Sequence, residues 1–224
     1  MVFVSLGKEF IKEVVEQCVS RLIVLGVRRP RKGCLTWPLH EDFHGWIGLN
    51  TETHRGDGTM IVNPNVGVRC DRIHQIITAV DGRKYTTYEP PTIIRGLGYL
   101  MPQHTYVPFI FHKKSPIESV ADELCAAVEQ YGMPYMRAKA NLEAIIKGLD
   151  CLPRQAGWEE SGERLLSAYY LLGDRDAIGR LIHQRSEEGK KKRVSLERFI
   201  KFSERFLKYV NQQGHESPKN RDTA

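Results

Sequence analysis

No apolar stretch in the chain approaches the roughly 20 residues that a membrane-crossing helix needs. Cysteines are few: five in 224 residues, odd in number and scattered as Cys18, Cys34, Cys70, Cys125 and Cys151. No C-x-x-C pair occurs. A disulfide framework and a cysteine-rich zinc site are thereby excluded, and reduced thiols in a cytoplasm are expected. The opening residues Met1-Val2-Phe3-Val4 carry no basic leader and no cleavage site, so no signal peptide is expected. Neither G-x-G-x-x-G nor a Walker loop is present, which leaves dinucleotide and P-loop nucleotide binding without support.

What is present is an ordinary globular composition, 41% hydrophobic and 27% charged. The length suits one large domain or one domain with a helical appendage. The net charge of +6 is uneven. Residues 1–114 carry 15 basic and 10 acidic side chains, residues 115–178 carry 6 and 11, and residues 179–224 carry 12 and 6. The acidic middle block suits a basic protein partner. The basic groups Arg28, Arg29, Arg31 and Lys32, with the run Lys190-Lys191-Lys192-Arg193, are candidate nucleic-acid contacts. A plainer reading makes these charges solvated helix faces and a helix-to-helix loop.

Periodicity divides the chain. Leu6, Phe10, Val14, Cys18, Leu22 and Leu25 fall at helical spacing over 5–26, with Ile11, Val15 and Val19 widening the stripe, Ser5 as cap and Gly26 as stop. Short β-branched and aromatic runs predict strands near 33–38, 43–50, 59–69, 92–98 and 105–112. Residues 53–58 read as a loop, and Asp71 begins a short helix. From Ser115 the chain reads as helical: a capping box with Pro116 at the first helical position and a stop at Gly132, then helices over 134–149, 161–172, 175–188 and 195–211. Strands followed by helices predict an α+β fold, an antiparallel sheet of about five strands packed by an N-terminal helix and a C-terminal helical segment. The expected segments are a sheet region at 1–114, a helical segment at 115–212 packed on it as one continuous domain, and a disordered tail at 213–224.

One stretch spells a catalytic motif. His40-Glu41-Asp42-Phe43-His44 matches H-E-x-x-H, in which two histidines bind zinc and a glutamate activates water. That chemistry needs helix, because only helical spacing brings the two rings to one metal. Pro38 and Gly45 leave at most two turns, and Gly45-Trp46-Ile47-Gly48-Leu49 reads as strand. The expectation is therefore strand over 43–49, with His40 and His44 not one helical turn apart. A metal-dependent hydrolase using His40, Glu41 and His44 is kept as the enzyme alternative, with His54 as a possible further zinc ligand. Asp81-Gly82-Arg83-Lys84 reads as a turn. Cys34 or Cys70 with His74 could form a thiol–imidazole pair, against which stands the usual role of free cysteine as a small core residue. Tyr85, Tyr88, Arg83, Lys84 and Arg95 mix aromatic and basic groups in a way that suits single-stranded nucleic acid.

Larger-scale order carries a resemblance. The helix ending Leu25-Gly26-Val27-Arg28-Arg29, then Gly45-Trp46-Ile47-Gly48-Leu49-Asn50, then Val66-Gly67-Val68 before a short helix, resembles a widespread uncharacterised bacterial α+β domain family found among toxin-immunity and defence genes. Ile117-Glu118-Ser119-Val120-Ala121-Asp122-Glu123-Leu124, Tyr131-Gly132-Met133-Pro134-Tyr135 and Leu171-Leu172-Gly173-Asp174 are similar to its helical tail. The resemblance implies a binding or immunity role. Together with the composition, the expectation is a non-enzymatic cytoplasmic interaction protein, an immunity or anti-phage component that binds a protein partner such as a toxin, with no cofactor and no membrane. It transfers no catalytic residue. Nucleic-acid binding is the third alternative.

Overall fold

The computed structural model describes residues 7–31, 33–54, 58–150, 158–192 and 197–215. The proposed Ser5 cap, Lys32, the 151–157 loop, Arg193 and the tail beyond 215 lie outside these residues, as do the side chains of Lys190, Lys191 and Lys192. The chain is α+β, and it divides into two compact units that interleave along the sequence. One is built from Met1–Cys70 and Pro90–Asn141, the other from Asp71–Glu89 and Leu142–Ala224. These units do not coincide with segments 1–114 and 115–212.

The first unit holds helix α1 (Lys8–Val24), a six-stranded antiparallel sheet and two further helices. Strands β1 (Arg28–Arg31), β2 (Cys34–Pro38), β3 (Phe43–His54), β4 (Thr59–Cys70) and β5 (Ile93–Gly96) lie in chain order, and β6 (Phe109–His112) also pairs with β4. The expected strands near 92–98 and 105–112 are shorter than predicted. β5 ends in a 3-10 turn at Leu97–Tyr99, and β6 begins only at Phe109. The two lie end to end along one edge of β4, β6 on residues 59–62 and β5 on residues 65–68. Pro64 falls in the gap between them. The Val68 carbonyl accepts from Thr92 on that edge, so residues two apart from it, Pro64 included, turn their backbone groups the same way. A proline without an N–H is tolerated there because no strand asks for one.

Alternation along β4 sets the two faces of the sheet. Met60, Val62, Val66, Val68 and Cys70 are fully buried on one face, joined by Ile47 of β3 and Phe111 of β6. α1 contributes Phe10, Val14, Cys18 and Leu22 to the same core at four-residue intervals. α3 (Ile117–Ala127) packs on α1 and is tied to it by the Arg21–Asp122 ion pair. Pro116 sits at the N-cap of α3 rather than at its first helical position, and no side chain caps the helix. Gly132 does not stop this helix. It is helical (φ −71°, ψ −49°) inside a π-turn, Val128–Gly132, that runs into α4 (Met133–Ala138). A Cβ at Gly132 would lie 3.1 Å from Val66, so this glycine serves a close approach. The wide π-turn also suits Pro134, whose ring would clash with a carbonyl one tight turn earlier. The helix predicted over 134–149 is thus two: α4, and α5 (Leu142–Asp150) in the second unit.

The second unit is helical: α2 (Asp71–Val80), α5, α6 (Trp158–Leu172), α7 (Arg175–Lys192) and α8 (Glu197–His215). Its core is built on Ile73 of α2, Leu165 and Leu166 of α6, and Phe199, Phe202 and Phe206 of α8. A side chain at Gly162 would place its Cβ 2.6 Å from the Phe199 ring. Asp174 caps α7 through the Ala177 N–H at 2.9 Å, as the sequence predicts. Asp81-Gly82-Arg83 is the C-terminal cap of α2: Gly82 has φ +66° and the Arg83 N–H donates to the Thr78 carbonyl at 2.8 Å. Among the described residues, no helix is long and apolar enough to cross a membrane.

Candidate functional site

The HEDFH stretch is a hairpin corner. His40, Glu41 and Asp42 form the turn between β2 and β3, closed by the Phe43 N–H on the His40 carbonyl at 2.9 Å, while Phe43 and His44 are already strand. Glu41 takes φ +45°. His40 Nε2 lies 2.7 Å from the Ala140 carbonyl. A carbonyl only accepts, so Nε2 carries the proton and is occupied. His40 fastens the hairpin corner to the end of α4. His44 stands opposite Pro38 and Arg69 in the sheet. His54 is ten residues further along β3, roughly 33 Å away at strand rise, where it meets Glu52 at 3.3 Å. The helical zinc arrangement is not formed, and no three His, Cys, Asp or Glu side chains among the described residues converge as a metal site. This removes the geometric basis for assigning His40, Glu41 and His44 to hydrolysis.

The first basic cluster has a different fate. Arg28–Arg31, named from the sequence as candidate nucleic-acid contacts, is the edge strand β1. It borders a groove of about 550 Å³ lined by Lys8, Ile11, Lys12, Val15 and Glu16 of α1 with Arg29 and Arg31. The helix wall repeats at i, i+3, i+4 and i+7, a second face beside the buried one. Ile11 and Val15, which widen the apolar stripe, are only half-buried and form the groove floor. Four cations surround one carboxylate, and Arg29 holds that carboxylate at 2.8 Å. Arg29 and Arg31 are therefore brought together, with Lys8 and Lys12 as partners that the sequence reading missed. The signal was there, as lysines four apart flanking the surplus apolar residues. Of the other basic candidates, Lys190, Lys191 and Lys192 fall within α7.

The second face of the sheet forms another surface. Register puts Gly48, Asn65 and Gly96 in one row across β3, β4 and β5. An added Cβ at Gly48 would lie 2.7 Å from Trp46 Cζ3, and one at Gly96 3.2 Å from Tyr99 Cδ2 and 3.5 Å from Asn65 Oδ1. The two rings thus rest on the two glycines with Asn65 between them. Arg95 lies 5.4 Å from the Tyr99 ring centroid, and Tyr99 is 46% exposed. Asn50 and Asn63 pair on the next row of the same face.

Other sequence candidates fall in both units. Cys34 and Cys70 are buried on opposite faces of the sheet, and His74 is buried in α2. Burial pushes the Cys18 thiol up to about 12 and raises that of Cys125 as well. Tyr85, Tyr88, Arg83 and Lys84 belong to the second unit and Arg95 to the first. The acidic block at 115–178 is partly neutralised by cations from outside it: Asp122 meets Arg21, and Glu160 and Glu163 meet Arg198, while Asp174 caps a helix. No family model, curated protein or solved structure matches the chain.

Proposed function

We propose that this chain is a nucleic-acid-binding protein whose groove between α1 and β1 holds phosphates. The observation that carries this reading is the grouping of Lys8, Lys12, Arg29 and Arg31 around a concave floor with a single, already engaged carboxylate. Phosphate contacts supply most of the affinity of such proteins and make it salt-dependent. The overall charge of +6 favours the same partner. The test is a titration of a labelled single-stranded oligonucleotide at several salt concentrations. Replacing Lys8 and Lys12 together by Gln is expected to lower the slope of log K against log salt by about 1.4, near 0.7 per lost contact. An unchanged slope would sink the groove.

A protein partner is the second reading, favoured by Ile200 and Leu207, which lie two turns apart on α8 and are 41% and 43% exposed. An immunity or defence role within this reading rests on resemblance in element order. Co-purification with the product of an adjacent gene tests it, and loss of that product in Leu207→Glu is the expected result.

A further inference from the structure

We propose that the open face of the sheet binds unpaired bases, stacking one on Trp46 and the next on Tyr99, with the Asn65 amide reading a base edge between them. This deepens the nucleic-acid reading and rests on it, but it uses a different surface from the groove. Gly48 and Gly96 are placed so that each ring settles against the sheet, since a Cβ at either position would push the ring away. Two strand intervals separate these glycines, roughly 10 Å. That exceeds the 3.4 Å spacing of stacked neighbours in a duplex strand, so the bases must be unstacked from one another, as they are in single strands bound on protein sheets. Tyr99 is held in place by the 3-10 turn after β5, by Arg95 beside its ring, and by His104, whose Nδ1 lies 3.3 Å from the Tyr99 carbonyl. Arg95 stands opposite Val66, on the other face of the strand, and its guanidinium reaches to 5.4 Å from the Tyr99 ring centroid. Along β3 this face carries one carboxylate, Glu52, and His54 sits against it. Asn65 offers both a donor and an acceptor, which base edges require and phosphate does not.

The experiment titrates the full chain with three fluorescein-labelled probes: (dT)12, an abasic chain with the same number of phosphates, and a 12-base-pair duplex. Tyr99→Ala and Trp46→Ala are each expected to weaken (dT)12 binding roughly 5- to 100-fold, with the abasic chain and the salt slope unchanged. Tyr99→Phe keeps the ring and is expected to keep the affinity. Trp46 is half-buried; if Trp46→Ala fails to fold, the exposed Tyr99 carries the test. Unchanged (dT)12 affinity in Tyr99→Ala overturns the proposal, and so does an equal loss on the abasic chain. Groove and face fail separately. If Lys8 and Lys12 variants change nothing while ring variants weaken (dT)12, the groove reading falls and this one stands; the opposite pattern removes only the stacking face. A wild-type chain that binds none of the probes overturns both.

Discussion

At the scale of the residue, several side chains act through one contact each. Gly45 is flanked by Met136 and Trp37: a Cβ there would lie 2.9 Å from Met136 Sδ and 3.1 Å from Trp37 Cβ. The hairpin corner docks on α4 only because this position is bare. Arg137 of α4 then lies 4.8 Å from the centroid of the Trp37 ring, and His40 reaches the Ala140 carbonyl. Gly45→Ala is therefore expected to cost about 1–2 kcal/mol, since the methionine can yield but the Trp37 backbone cannot. A lowered urea midpoint with an unchanged slope would show it. His40→Ala is expected to cost about 1 kcal/mol, the net value of one hydrogen bond. Zinc content should be the same before and after that change, which separates a fastener from a ligand. Cys18 is inert for a physical reason, because desolvation holds its thiol at about 12 and the thiolate is the reactive form. Iodoacetamide at pH 8 should leave Cys18 unmodified in the folded protein and label it after unfolding.

At the scale of the element, strong periodicity was legible and local punctuation was not. The α1 stripe, the β4 alternation and the Asp174 cap can all be read from the sequence, because each depends on neighbours a few positions away. Gly132 was misread as a helix stop because the reason for it, the approach of Val66, lies across the fold. Arg28–Arg31 is absent from the predicted strands for the same reason: nothing local marks an edge strand whose partner is β2. Pro30 and the arginines suit an edge, since they discourage further strand pairing. The candidate surfaces were half legible. Arg29 and Arg31 could be named in advance, whereas Lys8, Trp46, Asn65 and Tyr99 gain meaning only from register and groove. Between α6 and α8, Glu163 is buried and accepts from Arg198 Nε at 2.9 Å and Nη2 at 3.1 Å. Burial still leaves the Glu163 carboxyl raised above the ordinary value of 4.5, with Arg198 pulling it back down. A raised folded value means the native state holds the proton more tightly, so stability from this group declines as pH rises above 4.5. Arg198→Ala removes the opposing cation and pushes the carboxyl further up. The expected cost is roughly 2–3 kcal/mol, less than for a fully buried pair because Arg198 is half exposed. Urea melts should show a larger loss at pH 8 than at pH 5; equal losses would mean that Glu163 is solvated in the folded chain.

At the scale of the molecule, each compact unit draws on separated stretches of sequence. The helical unit takes α2 from the middle of the chain and joins it to helices that begin some 70 residues later. α2 has Ile73, Ile76, Ile77 and Val80 on its buried side, and it packs against α6 and α8. Arg205 of α8 reaches Asp81 at the end of α2, with 2.6 Å between Nη2 and Oδ1. At an exposed site such a pair contributes little, so the apolar contact holds α2 in place. Phe202 is fully buried in that core. Phe202→Ala is expected to cost about 3–5 kcal/mol, the usual range for emptying a buried aromatic site. The effect should follow the fold and not the sequence. In hydrogen exchange, amides of α2 should lose protection together with those of α6 and α8, although more than 100 residues separate α2 from Phe202. Lost protection confined to α8 would show that α2 does not share this core, and that the unit is a tail of helices with a separate segment beside it.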